Sequence, residues 1–370
     1  AAIRVDPMSA TGDDTVQLRL QLHYADFALD VNLDLPGRRV SALFGPSGSG
    51  KTTCLRAIAG LQRAPGGYVQ VNGEVWQDDA RGLFVPTHLR ALGYVFQEAS
   101  LFAHLTVAQN IAYGLTRVPS AQRRVSLAQA VELLGLANLM QRRPGTLSGG
   151  ERQRVGIARA LATSPRILLM DEPLAALDAG RKAEILPYLE RLHGELDIPM
   201  LYVSHAPDEV ARLADHLVLF EAGKVVASGA TFDLMTRLDL PLAHGDAAGA
   251  VIAATVDSHD ADYHLTLACF GGGQLCVPRQ ATAVGQTLRI RIQARDVSLT
   301  LARQSGTSVL NILPAIITAL ADDSPGQMMV RLDANGSPLL ARITRKSADA
   351  LALTVGQAVF AQVKGVAILG

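Results

Sequence analysis

Gly45-Pro46-Ser47-Gly48-Ser49-Gly50-Lys51-Thr52 follows the apolar run Val40–Phe44 and opens a helical stretch, Lys51–Ala59. Glycines at this density let the backbone wrap so tightly that its N–H groups point into the loop, where they meet phosphate oxygens. The helix N-terminus adds the positive end of its dipole. At this spacing Lys51 is placed for the β- and γ-phosphates, the Thr52 hydroxyl for Mg²⁺, and Thr53 for the α-phosphate. The bland alternative is a glycine-rich turn that matches by accident; a strand before the loop and a helix after it weigh against that.

A second run, Ile167-Leu-Leu-Met-Asp171-Glu172, ends an apolar strand in two acids. Such a strand delivers a carboxylate beside the nucleotide metal, so Asp171 reads as a Mg²⁺ ligand through water, and Glu172 can hold the attacking water in line with the γ-phosphate. Taken alone this is a weak signal, because acids often end strands at solvent; the loop upstream gives it weight. Between the two lies Leu147-Ser148-Gly149-Gly150-Glu151-Arg152-Gln153. Read locally, Ser148 and Glu151 form a capping box at the start of the helical stretch Glu151–Ala162. The same helix start is also a ready anion site.

These residues need elements to position them. Strand-like runs at Val40–Phe44, Ile167–Met170, Met200–Val203 and Leu217–Phe220 alternate with helical stretches over residues 16–235, the order of a largely parallel sheet covered by helices. Residues 98–165 carry the helical portion, residues 1–15 are expected to be a flexible N-terminus, and the Gly/Pro punctuation of 236–249 reads as a linker. From residue 250 the texture changes to short alternating strands with Gly/Asp turns, as in small β-barrels. Val284-Gly-Gln286 before the strand Thr287–Ile292 recurs as Val355-Gly-Gln357 before Ala358–Val363, which divides the tail into two related β-units, 250–303 and 307–370. A chance match of three residues is the alternative.

At 370 residues the chain suits two or three domains. Its 34 Lys+Arg balance 34 Asp+Glu, against a nucleic-acid binder with its basic excess. Apolar residues reach 49%, yet the apolar runs are strand-length, well short of the roughly 20 residues that cross a bilayer. A soluble chain is expected, acting at a membrane only by docking onto another protein. Cys54, Cys269 and Cys276 have neither disulfide nor zinc spacing and read as reduced thiols. Residues 1–14 lack the apolar core of a secretory signal, and Met8 is a candidate start.

Taken in order, the phosphate loop, Leu147–Gln153 and the acidic strand resemble the ATP-binding cassette family over about residues 16–235. The resemblance implies a P-loop α/β fold, a mainly parallel sheet core with a helical subdomain, hydrolysing ATP with Mg²⁺. It further implies that Ser148, Gly149 and Gly150 bind the γ-phosphate held by the opposite subunit of a homodimer, and that Gln97 senses Mg²⁺ and water and touches the membrane subunit. Asp178, in Leu177-Asp178, matches the loop that crosses the dimer interface, and His205 the histidine that contacts the γ-phosphate. Tyr24 or Phe27 supplies the ring that stacks on adenine; the sequence does not choose between them. A soluble cassette ATPase working on ribosomes or DNA is the runner-up, disfavoured by a single cassette and no heptad run.

In the tail, Thr307–Leu313, Ala341–Ser347 and Gln362–Ile368 resemble the Mop module, an OB-like all-β barrel that binds molybdate. With Gly93–Phe102, the whole resembles the ATPase of molybdate importers. This implies integral permease subunits, a periplasmic or surface substrate-binding protein, a peripheral place on the cytoplasmic face of the inner membrane, and molybdate or tungstate held in the tail by Ser308, Arg345, Ser347 and Lys364. The tail departs from the pattern at Leu310, Pro314 and Ala315, which leaves a purely structural barrel as the alternative. Tungstate and sulfate stay open as cargo.

Overall fold

The computed structural model describes residues 14–116, 118, 119, 121 and 123–369, so Met8 and most of the expected N-terminal segment 1–15 lie outside the described residues. The chain divides into two compact units, Ala1–Gly229 and Ala230–Gly370.

The first unit holds β1 (Thr15–His23), β2 (Ala28–Pro36), β3 (Val40–Phe44), β4 (Tyr68–Val71), β5 (Glu74–Asp78) and β6 (Leu83–Phe84). It continues with β7 (Leu92–Val95), β8 (Ile167–Asp171), β9 (Met200–Ser204), β10 (His216–Glu221) and β11 (Lys224–Ala230). Among the described residues these form one 11-stranded sheet in the order β6-β5-β4-β1-β2-β11-β10-β3-β9-β8-β7. The sheet is mixed. β10, β3, β9, β8 and β7 run parallel, and β3 and β9 are buried along nearly their whole length, as strands covered on both faces must be. β1 and β2 are antiparallel and alternate buried with exposed residues, because the short turn at residues 24–27 permits only a hairpin. Helices α1 (Lys51–Ile58), α2 (Val107–Leu115), α3 (Leu127–Leu133), α4 (Gly149–Leu161), α5 (Ala179–Glu195) and α6 (Pro207–Leu213) complete the unit, with α2–α4 between β7 and β8.

Arg90 fixes the far end of α1. It is buried, and its guanidinium donates to the Ala57, Ile58 and Val85 carbonyls while stacking near Trp76 and Phe84. A cation there satisfies the last carbonyls of the helix. Burial lowers its pKa to about 10.

The second unit carries α7 (Thr231–Leu234), α8 (Arg345–Ala350) and strands β12 (Gly249–Asp260), β13 (Leu265–Phe270), β14 (Gly273–Pro278), β15 (Thr287–Gln293) and β16 (Val297–Thr300). Then come β17 (Asn311–Ser324), β18 (Gln327–Ala334), β19 (Ser337–Thr344), β20 (Ala358–Val363) and β21 (Ala367–Ile368). Its two five-stranded sheets, β14-β13-β12-β15-β21 and β19-β18-β17-β20-β16, have the same order, each taking its last strand from the other half of the tail. The turns agree in detail. The Gly285 and Gly356 N–H groups donate at 2.8 Å to Val256 and Ile317, and β12 and β17 each shift register just after those acceptors. The Gln286 and Gln357 side chains accept from the backbone N–H three residues earlier. The halves 250–303 and 307–370 are therefore not two self-contained sheets; β16 and β21 are exchanged, and one hydrophobic core joins both sheets.

The stretch 236–249 differs from the linker expected of it. Leu240, Leu242, Ala243 and Ala248 are buried, and His244 and the Gly245 N–H bond the Asp323 carboxylate, which Arg342 also holds. Its leucines outweigh its glycines and proline, so burial of apolar surface orders it within the second unit.

Candidate nucleotide site

The site is assembled at the C-terminal ends of three adjacent strands. β9 lies between β3 and β8, with Phe44 opposite Ser204 and Val203 opposite Asp171. The phosphate loop after β3, His205 after β9 and Glu172 after β8 therefore emerge side by side, the place where open α/β sheets bind ligands. Phe27, Ser47, Gly48, Gly50, Lys51, Thr52, Thr53 and Glu172 line an open cleft.

The loop itself is a cradle that side chains would fill. Gly45 has φ 155°, and a Cβ there would lie 2.2 Å from the Phe220 carbonyl oxygen; Gly50 has φ 101°, and a Cβ would meet Leu29 and Phe27 at 2.8 Å. Gly50 caps α1 without a side-chain hydrogen bond, so the first N–H groups of the helix are left for a ligand. Lys51 is 4% exposed, and its ammonium donates to the carbonyls of Gly45 (2.9 Å) and Pro46 (2.7 Å) and to Ser49 Oγ (3.3 Å). Burial lowers the Lys51 pKa, and the Glu172 and Asp171 carboxylates pull it back up. Cys54, one turn on, is fully buried with its thiol pushed up to about 12, an inert packing residue.

Thr52 Oγ1 donates to Asp171 Oδ1 at 2.8 Å, which brings a hydroxyl and a carboxylate together beside the loop. A hydroxyl and one carboxylate fit Mg²⁺, which takes oxygen ligands and completes its shell with water and substrate phosphates. Tyr94 donates to the other oxygen, Asp171 Oδ2, at 3.1 Å, and burial followed by the Asp171 charge pushes its phenol pKa up. Sequence reading gave Tyr94 no role. The signal was a tyrosine inside an apolar strand, and only the pairing of β7 with β8 shows what it meets.

Glu172 takes φ 44°, a left-handed conformation that costs energy for a residue with a side chain and is tolerated where the surroundings enforce it. Its N–H donates to Val203 O at 3.2 Å, and its Oε1 stands 3.5 Å from His205 Nδ1. Carboxylate and imidazole, the two groups given to the γ-phosphate end, thus sit together.

The remaining candidates are distributed around this centre. Gln97 is exposed on the loop after β7 and is not among the residues lining the cleft. Phe27 lines the cleft and packs against the core, whereas Tyr24 is 45% exposed, its ring centroid 6.1 Å from that of Phe27. Ser148 Oγ accepts from Glu151 N and Glu151 Oε2 accepts from Ser148 N, the capping box of α4. Asp178 caps α5 one way only, its Oδ1 accepting from the Arg181 N–H, and that bond holds its carboxyl below the usual range. The two helix starts are neighbours, for a Cβ on Gly149 would lie 3.1 Å from Leu177 and one on Gly150 3.4 Å from Ile185.

In the second unit the four oxyanion candidates do not form one site. Ser308 and Lys364 are exposed near the end of the sheet where Asn311 pairs with Val363. Arg345 and Ser347 follow Thr344, which pairs with Gln327 beside Ser324, at the opposite end of the 14-residue strand β17. Roughly 40 Å of strand separates the pairs. Arg345 is bonded to Asp322, and Ser347 lies in the Thr344 cap of α8. The Mop-like segments that suggested a cluster are split because β17 spans the sheet.

Residues 28–175 match the ABC transporter family and residues 307–369 the TOBE domain. A "Molybdenum import ATP-binding protein ModC" of Albidiferax ferrireducens is 61% identical over 98% of this chain and 99% of its own length. A "Molybdenum import ATP-binding protein ModC 1" of Azotobacter vinelandii is 59% identical over 96% of this chain and 99% of its own. Among solved structures, cbiO1 of Clostridium perfringens, part of the ABC transporter complex cbiONQ, superposes with a TM-score of 0.53 at 25% identity, covering 61% of this chain and 92% of that one. With a cassette motif set on three adjacent strands, a TOBE tail, and about three-fifths identity along nearly its whole length, the chain belongs to the ModC family of ABC transporter ATP-binding proteins.

Proposed function

We propose that this chain is the ATP-hydrolysing motor of a molybdate importer. The observation that carries the chemistry is the convergence of the Lys51 loop, the Thr52–Asp171 pair and the Glu172–His205 pair at the C-terminal ends of three adjacent strands. The identity to proteins named for molybdenum import supports the cargo.

The loop N–H groups and the Lys51 ammonium bind the phosphates and counter their charge. Thr52 and Asp171 would hold Mg²⁺, which when bound neutralises charge on the phosphoryl oxygens. Glu172 accepts a hydrogen bond from the attacking water, which turns the water's lone pair toward the γ-phosphorus. As the water O–P bond forms, the bond to the ADP oxygen breaks, and the new phosphate carries the water's hydrogens until one is released to solvent as a proton. His205 steadies the Glu172 carboxylate from 3.5 Å. Tyr94 and Thr52 keep Asp171 oriented from both sides. We assign Phe27 to the floor of the nucleotide cleft and Tyr24 to the adenine.

The helix start at Ser148–Gly150, exposed at Ser148, supports a second role, as the lid over a partner subunit's nucleotide in a homodimer. The loop of Gln97, with Phe96 45% exposed, offers a contact to permease subunits, and such docking puts the chain at a membrane. Among the described residues no helix is long and apolar enough to cross one itself.

The test is ATP hydrolysis by the transporter reconstituted with its permease and binding protein. Molybdate should stimulate turnover, and tungstate should do so comparably; stimulation by sulfate with none by molybdate would overturn the cargo. For the tail, we retain Ser308 and Lys364 as the oxyanion pair. Calorimetry of the whole chain should detect molybdate binding that Lys364→Ala weakens by about tenfold, the scale of one charge-assisted contact. Unchanged affinity in the variant would leave the tail a structural barrel.

A further inference from the structure

Glu209, on α6, is 5% exposed, and no step of the chemistry above uses it. A carboxylate so deeply buried must be paired or it destabilises the fold. It gathers donors from two elements, β9 and α5. Tyr202 and Ser204, at the end of β9, each donate to its Oε2 at 2.8 Å, and Lys182, in the first turn of α5, meets its Oε1 at 2.8 Å. The Ser204 hydroxyl in turn accepts from the Ala206 N–H at 3.0 Å, so the turn carrying His205 is closed by a group whose orientation Glu209 sets. Lys182 is tied back the other way, its backbone N–H donating to the Asp178 carbonyl at 2.9 Å. Burial, followed by the Glu209 charge and hydrogen bond, pushes the Tyr202 phenol well above its ordinary range, so it stays a donor.

We infer that Glu209 is a positioning residue that locks the His205 turn to the Asp178 loop, so that the histidine beside Glu172 and the loop expected at the subunit boundary move as one body. A carboxylate is needed because only it accepts from two hydroxyls on one oxygen while pairing an ammonium on the other. The inference rests on the reading of His205 given above. Glu209 touches no cleft-lining residue through these bonds, so its loss should act on turnover and spare nucleotide binding.

The experiment compares the whole chain with Glu209→Gln, Lys182→Met and the double variant, measuring ATP dissociation constant, Tm, and kcat per nucleotide-binding site. Glu209→Gln should lower kcat about tenfold or more with the dissociation constant within about twofold of the parent, since misplacement of catalytic groups is felt in the rate. Lys182→Met should fall in the same direction, and the double variant should lose less than the product of the single losses because both act through one link. A lower Tm with kcat per site unchanged would overturn the inference and leave Glu209 a packing residue. Independent, multiplying losses would also overturn it. If the parent itself fails to hydrolyse ATP, the functional reading falls instead, and the two failures are told apart.

Discussion

Replacing Glu172 by Gln is expected to leave ATP binding in place and to lower turnover by about 10²–10⁴, the scale of a positioned general base. The amide keeps the shape of the side chain and its place beside His205, so the cleft and the left-handed backbone at residue 172 are preserved. What it loses is the negative charge that orients the attacking water. With hydrolysis blocked, the ATP-bound form should accumulate and elute as a dimer on size-exclusion chromatography. Adding Ser148→Arg should abolish that dimer, because the bulky cation occupies the helix start given to the partner's nucleotide. Parent-like hydrolysis by Glu172→Gln would remove Glu172 from its role, and an ATP-independent elution profile would remove the sandwich.

Lys51→Ala should act earlier, on binding itself. The Lys51 ammonium is the one cation lining the cleft among its described residues, and charged hydrogen bonds of this kind are worth about 1.5–3 kcal/mol. At about 1.4 kcal/mol per factor of ten, the ATP dissociation constant should rise at least roughly tenfold and on the order of a hundredfold. Because Lys51 also ties Gly45 and Pro46 across the loop, the variant should lose affinity for ADP as well. Equal ATP affinity in parent and variant, measured by calorimetry at matched salt, would mean that the loop does not hold the triphosphate.

The contrast between these residues and the tail shows which features could be read directly. Val40–Phe44, Lys51 and the acids after Ile167–Met170 were legible because each is a local statement: apolar runs make buried strands, Gly-X-Gly spacing makes a tight loop, and Ser148 with Glu151 caps a helix within four residues. The Mop-like residues were legible only as types. Ser308, Arg345, Ser347 and Lys364 suit an anion, but their spacing says nothing about a strand that carries two of them to one end of a sheet and two to the other.

By itself the sequence determined the phosphate loop, its flanking strand and helix, the capped helix start at Ser148, and the repeated Val-Gly-Gln turns of the tail. All are set by neighbours within a few residues, where backbone geometry and short hydrogen bonds decide the outcome. Only the tertiary structure decided that β9 runs between β3 and β8, bringing His205 to 3.5 Å from Glu172, that Tyr94 meets Asp171, and that Glu209 joins the His205 turn to α5. It likewise decided the exchange of β16 and β21 between the tail's sheets and the burial of 236–249. Strand order and strand exchange depend on which apolar faces bury each other across long stretches of chain. That free energy grows with the total area removed from water and carries no local signature in the residues that supply it.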